Sequence, residues 1–146
     1  MRRVLYILLA AVVLPLSAVA QVSKQVEVSK DYTPSVSTAQ KMAIVPDGRE
    51  ARTNWFVKER LKGATLIEAQ LTTGRTHQIR VHMASIGHPV LGDPVYGPKK
   101  SPYPVEGGQL LHAFRIGFVH PRTGEEMIFE AGPEPRFTQW LEKLRI

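Results

Sequence analysis

Between Gly74 and Gly97 the chain reads G-R-T-H-Q-I-R-V-H-M-A-S-I-G-H-P-V-L-G-D-P-V-Y-G, and its glycines and prolines leave few backbone solutions. Thr76 can cap a helix running from His77 to Ile86, and Gly87 stands where a helix-ending glycine belongs. Pro89 forbids its continuation. Ile79, Met83 and Ile86 recur at helical spacing and mark an inner face, while His77, Arg80 and Ala84 share another. Gly92-Asp93-Pro94 predicts a turn. No other stretch of the chain is as dense in side chains able to do chemistry.

Strand patterns flank this helix. After the turn signal Pro46-Asp47-Gly48, residues Glu50 to Arg60 alternate. Ala51, Thr53, Trp55 and Val57 fall on one face, and Arg52, Asn54, Phe56 and Lys58 on the other. Leu61-Lys62-Gly63 turns the chain into a second run, Ala64 to Leu71, which predicts a hairpin. Pro98 to Gly108 reads as a loop. Gln109 to Val119 and Glu126 to Glu130 predict a second hairpin around His120–Gly124. Pro133 and Pro135 break the chain before a closing helix, Phe137 to Leu144, with Phe137, Trp140, Leu141 and Leu144 inward. The order strand, strand, helix, strand, strand, helix predicts an α+β fold: an antiparallel or mixed sheet of hairpins with helices packed on it.

The first 45 residues have a different character. Met1-Arg2-Arg3 is basic, Val4 to Ala20 is apolar apart from Ser17, and Ala18-Val19-Ala20 precedes Gln21. That is the pattern of a secretory signal peptide, and it argues for export. Residues 21–45 read as an extended, poorly packed linker, leaving 46–146 as the folded domain.

The chain of 146 residues carries a net charge of +6, which favours a polyanionic partner or a membrane surface. Residues 1–46 hold five basic and two acidic side chains, and 47–146 hold fourteen and eleven, so each segment contributes +3. Within 72–100 the basic residues Arg75, Arg80, Lys99 and Lys100 face Asp93 alone, a local patch of the kind that contacts nucleic acid. Cysteine is absent, which excludes disulfides, thiolate metal sites and cysteine nucleophiles. His77 and His82 are five apart, roughly 140° around a helix, and do not converge on one ion. No H-E-x-x-H, G-x-S-x-G, P-loop or dinucleotide fingerprint occurs. Arg75 and Arg80 remain the strongest candidates, because an arginine at a helix start adds a bidentate fork to a site that already favours anions. The plain alternative is a pair of solvated or structurally paired arginines.

Three blocks carry a resemblance: T-G-R-T-H-Q-I-R-V-H-M-A, then G-H-P-V-L-G-D-P-V-Y-G, then L-L-H-A-F-R-I-G-F-V-H-P-R-T-G-E. In order and spacing, from about Met42 to Ile146, they resemble the carboxy-terminal part of RluA-type pseudouridine synthases. The resemblance implies isomerisation of uridine to pseudouridine in RNA, of the ribosomal or transfer class, without cofactor or metal and in the cytoplasm. It implies that the target nucleotide is flipped into a pocket. Arg80 corresponds to the motif arginine that pairs with the catalytic aspartate. Arg75, His77 and Gln78 belong to the RNA-binding wall, and Leu111 to the pocket packing. In that family the aspartate sits in an H-R-L-D-type motif upstream of the matched blocks. Here Asp31, Asp47 and Asp93 lie in other contexts. The expectation is therefore a partial catalytic domain, inactive alone, with Arg80 lacking its partner, about half the sheet missing and apolar surface exposed. A missing upstream half could come from another chain. The alternatives are an exported protein and a residual RNA-binding module without chemistry.

Overall fold

A computed structural model describes residues 4–10, 24–28, 42–45 and 48–145. For 4–10 and 24–28 it describes the backbone. The predicted turn at Pro46-Asp47 and the acid Asp31 lie outside the described residues.

Among the described residues six strands and two helices make an α+β fold, as the sequence pattern predicts. The strands are β1 (Val4–Ala10), β2 (Lys24–Val28), β3 (Arg49–Leu61), β4 (Ala64–Leu71), β5 (Leu111–Val119) and β6 (Glu126–Glu130). The helices are α1 (Gln78–Ser85) and α2 (Pro135–Arg145). All strand pairings are antiparallel, in the order β2-β3-β4-β1-β5-β6.

The β3–β4 hairpin closes on Lys62-Gly63, with Leu61 opposite Ala64. Gly63 takes φ 67°, and a Cβ there would run into the Tyr103 hydroxyl, so the turn requires glycine. Its tip is tied down by Lys62 N donating to Leu144 O (2.7 Å) and Tyr103 Oη donating to Lys62 O (3.1 Å). The alternation of β3 lapses past Trp55: Ala51 and Thr53 are buried, but Val57 is exposed. Val57 still pairs in register with Ile67, and a bulge between Val57 and Glu59 reverses the faces beyond it, so that Leu61 comes to lie opposite Ala64.

The core has two parts. Ile67, Ala69 and Leu71 of β4 pack with Ile79 and Met83 of α1 and with Val90. Ala64 and Leu66 pack with Leu91, Leu110 and Phe137, Leu141 and Leu144 of α2. Trp140 is half-buried beside this second cluster. The first cluster presses α1 onto the sheet and so sets the orientation of everything the helix carries.

The apolar amino-terminal segment is not separate from this sheet. Val4–Ala10 lies between the two hairpins, with Ile7 opposite Ala69 of β4 and opposite Ala113 of β5. Val26 of β2 lies opposite Ala51, extending the other edge. Exposed apolar surface is present where β5 and β6 form the far edge: Ile116, Val119, Ile128 and Phe129.

Candidate RNA-modifying site

Helix α1 begins one residue later than expected, and abruptly. His77, not Thr76, precedes its first turn, and takes the left-handed conformation (φ 56°, ψ 18°). It is the one non-glycine residue with positive φ among those described. Such a conformation is costly away from glycine and persists where neighbours over-determine it.

The neighbours do so here. Gln78 is buried, and its side chain is fully engaged within the protein. Its Oε1 accepts from Thr73 Oγ1 (2.8 Å) and Arg75 N (3.0 Å). Its Nε2 donates to Arg52 O (3.0 Å) and Thr53 Oγ1 (3.0 Å). Thr73 Oγ1 in turn accepts from Arg52 N (2.9 Å). One amide thereby staples the 73–78 turn to β3. Gln78 fixes the wall from behind and does not present its amide to solvent. His82, also buried, completes the network with Nδ1 2.8 Å from Thr53 Oγ1. Burial holds its pKa below the ordinary histidine value.

Arg80 has a partner, contrary to the expectation from the sequence. Its Nε lies 2.7 Å from Asp93 Oδ2 and its Nη2 2.8 Å from Asp93 Oδ1, a bidentate pair 7% and 5% exposed. Oδ1 also accepts from Val95 N (2.9 Å) and Tyr96 N (3.0 Å). Burial raises the Asp93 pKa, but the Arg80 hydrogen bonds, the two backbone N–H groups and the Arg80 charge outweigh it and leave the carboxyl below its ordinary range. The G-D-P turn is thus a carboxylate clamp closed on the helix.

Tyr96 lies over this pair, its ring centroid 5.0 Å from Arg80 Cζ. Its hydroxyl accepts from Met42 N (2.7 Å) and lies 3.1 Å from His77 Nδ1. His77 is half-buried, with its pKa lowered by burial first and by the Arg80 cation second, against the pull of Asp93. Arg75 is exposed, with Nε donating to Glu50 O at 3.4 Å. Leu111 packs half-buried against the Ile67–Met83 cluster, away from the ion pair's contacts. Arg80 and His77 are therefore brought together through Tyr96, Gln78 supports them, Arg75 flanks them, and Leu111 belongs to the core beneath. A cavity of about 750 Å³ opens beside Asp93 and Tyr96, walled by the 87–105 segment and Gly63-Ala64. No three histidine or acidic side chains converge among the described residues.

The family described as RNA pseudouridylate synthase matches residues 6–85, from inside β1 to the end of α1. That match covers more than half of the chain. The chain belongs to the RNA pseudouridylate synthase family. An uncharacterised RNA pseudouridine synthase of Bacillus subtilis, YlyB, is 50% identical over 107 residues, covering 73% of this chain and 34% of that protein. The ribosomal large subunit pseudouridine synthase D of Zymomonas mobilis is 49% identical over 113 residues, 72% of this chain and 35% of that one. The chain thus spans about a third of the length of these curated relatives. Human RNA pseudouridylate synthase domain containing 1 superposes with a TM-score of 0.70 at 22% identity, covering 99% of this chain and 66% of the human one, which shows the shared fold.

Two residues of this cluster are not singled out by the sequence reading: Asp93 and Tyr96. Both lie in G-D-P-V-Y-G, which reads locally as a turn. An aspartate followed by backbone N–H groups two and three residues on is a turn-capping signal, and it does point to the Val95 and Tyr96 bonds. The pairing with Arg80, thirteen residues away, depends on how α1 and the turn fold together.

Proposed function

We propose that this chain forms one wall of an RNA pseudouridine synthase site, binds uridine-containing RNA of the ribosomal class there, and does not isomerise uridine by itself. The observation that carries the reading is the buried Arg80–Asp93 pair, walled by the T-G-R-T-H-Q-I-R motif. Asp93 is the carboxylate that touches Arg80, with Oδ2 accepting from Nε and Oδ1 from Nη2 and two backbone N–H groups. A nucleophile or base must reach the reacting atom, and the Asp93 side chain is fully buried against Arg80. Asp93 serves as a brace in this reading. Arg80 Nη1 is the donor Asp93 does not use, and it is the atom to which a catalytic carboxylate from an upstream segment would bind. Ribosomal RNA is supported by the Zymomonas mobilis relative, a ribosomal large subunit pseudouridine synthase.

Export is the weaker reading of the amino terminus. Val4–Ala10 is a strand with partners on both sides, so cleavage after Ala20 would remove the strand between the hairpins. That position supports a cytoplasmic chain that keeps Met1.

A tritium-release assay on 5-tritiated uridine RNA tests the proposal with the 146-residue chain. RNA binding without turnover is expected, with affinity falling steeply as salt rises. Turnover abolished by Arg80→Ala would overturn the inactivity. Affinity indifferent to salt would overturn the phosphate-contacting wall.

A further inference from the structure

Three groups of the site converge on one residue that no motif reading singled out. The Tyr96 ring covers the Arg80 guanidinium, meets the His77 imidazole edge-on at 5.7 Å, and its backbone N–H donates to Asp93. Its hydroxyl has one donor, Met42 N, and one ring nitrogen, His77 Nδ1, within hydrogen-bond distance.

A hydroxyl oxygen can accept twice, but only an accepting His77 Nδ1 gives the Tyr96 hydroxyl proton a partner among the described residues. Met42 N–H can only donate, so the lone pair it uses belongs to Tyr96 Oη. The proton on Oη is then available to Nδ1, and a ring nitrogen that accepts leaves its proton on the other nitrogen. His77 Nε2 has no partner among the described residues and is not among the buried unpaired polar atoms. The left-handed backbone of His77, held by the Gln78 network behind it, fixes the ring in this place.

We propose that Tyr96 is a positioning residue of the site: its hydroxyl fixes His77 as an Nε2–H donor aimed at an acceptor oxygen of the RNA, while its ring holds the face of Arg80. This rests on the RNA reading above for its ligand, but not for the Tyr96–His77 lock. Burial and the Arg80 cation both favour the uncharged imidazole, whose donor is a single N–H.

Long-range proton–nitrogen NMR of the uniformly labelled 146-residue chain reads the tautomer directly. The wild-type His77 is expected to show protonated Nε2 and bare Nδ1. Tyr96→Phe keeps the ring over Arg80 and removes the hydroxyl; it is expected to convert His77 to a mixture of tautomers with the backbone spectrum unchanged outside the site. A protonated Nδ1 in the wild type overturns the lock even if the variant fails to fold, and so does an unchanged tautomer in the variant. Titration with a uridine-containing single-stranded RNA tests the donor. Tyr96→Phe and His77→Ala are each expected to weaken binding about threefold to tenfold, the range one neutral hydrogen bond spans, with no further loss when combined. Unchanged affinity in both variants overturns the donor role. A wild-type chain that binds no RNA overturns the ligand and the functional reading, while the tautomer spectrum still decides the lock.

Discussion

Arg80 of α1 and Asp93 of the following turn form a buried bidentate ion pair, 2.7 Å and 2.8 Å on its two arms. The pair closes a loop of the chain onto the helix it has just left. The guanidinium's orientation is thereby set from within the Gly74–Gly97 stretch.

Breaking that pair from one side strands a charge. Asp93→Asn keeps an oxygen for the Val95 and Tyr96 N–H groups but removes the anion beside Arg80. Urea denaturation is expected to show a loss of about 3–5 kcal/mol, the usual consequence of an unpaired buried ion. Adding Arg80→Met to Asp93→Asn removes the stranded cation, and part of the loss is expected to return. A double variant less stable than Asp93→Asn would contradict this.

Acid should weaken the fold in two steps. His82 has its folded pKa lowered by burial, so the unfolded chain binds more protons below the ordinary value of about 6.5. Stability is expected to rise with pH up to that value and to level off above it. His77 adds to the same slope, since its pKa is also lowered. Asp93, lowered in the folded state, contributes stability above its ordinary value of about 3.9 that is lost as pH falls further. Unfolding free energies across pH 3–8 check the shape. In His82→Gln the slope just below pH 6.5 should shrink, while the lower step remains.

The staple through Gln78 predicts a local structural effect that a place in an RNA-binding wall would not. Gln78→Leu preserves bulk but leaves Arg75 N, Arg52 O and Thr53 Oγ1 short of a partner. The expected cost is about 1–3 kcal/mol, the range for buried polar groups left unsatisfied. Hydrogen exchange at the Arg75 amide should accelerate more than exchange in β4. Equal protection in variant and wild type would refute the staple.

Much of the framework was legible because it is local. The hairpin turn at Lys62-Gly63, the Ala64–Leu71 run and the α2 stripe of Phe137, Leu141 and Leu144 each follow from periodicity within a few residues. What was not legible is long-range. The burial of Gln78 and His82 depends on β3 lying beneath α1, where Thr53 meets both. The partner of Arg80 depends on a turn folding back. The apolar run Val4–Ala10 fits a leader and a central strand equally well, because hydrophobicity without alternation does not distinguish them.

That last ambiguity is open to experiment. Ile7 lies opposite Ala69 on one side and Ala113 on the other, so its strand has pairing neighbours on both edges. Proline there has no N–H to donate and does not fit an inner strand, whereas Glu126 begins edge strand β6, where proline is tolerated. Ile7→Pro is expected to lower the thermal midpoint of the 146-residue chain well beyond Glu126→Pro, the lost ladder bond alone being worth about 1 kcal/mol and the misfit of the ring in an inner strand adding to it. Equal, small shifts in the two variants would mean that β4 and β5 do not rely on Val4–Ala10. The segment would then be dispensable to the fold and available for processing at Ala20, whereas a selective loss at Ile7 makes that cleavage incompatible with the folded sheet.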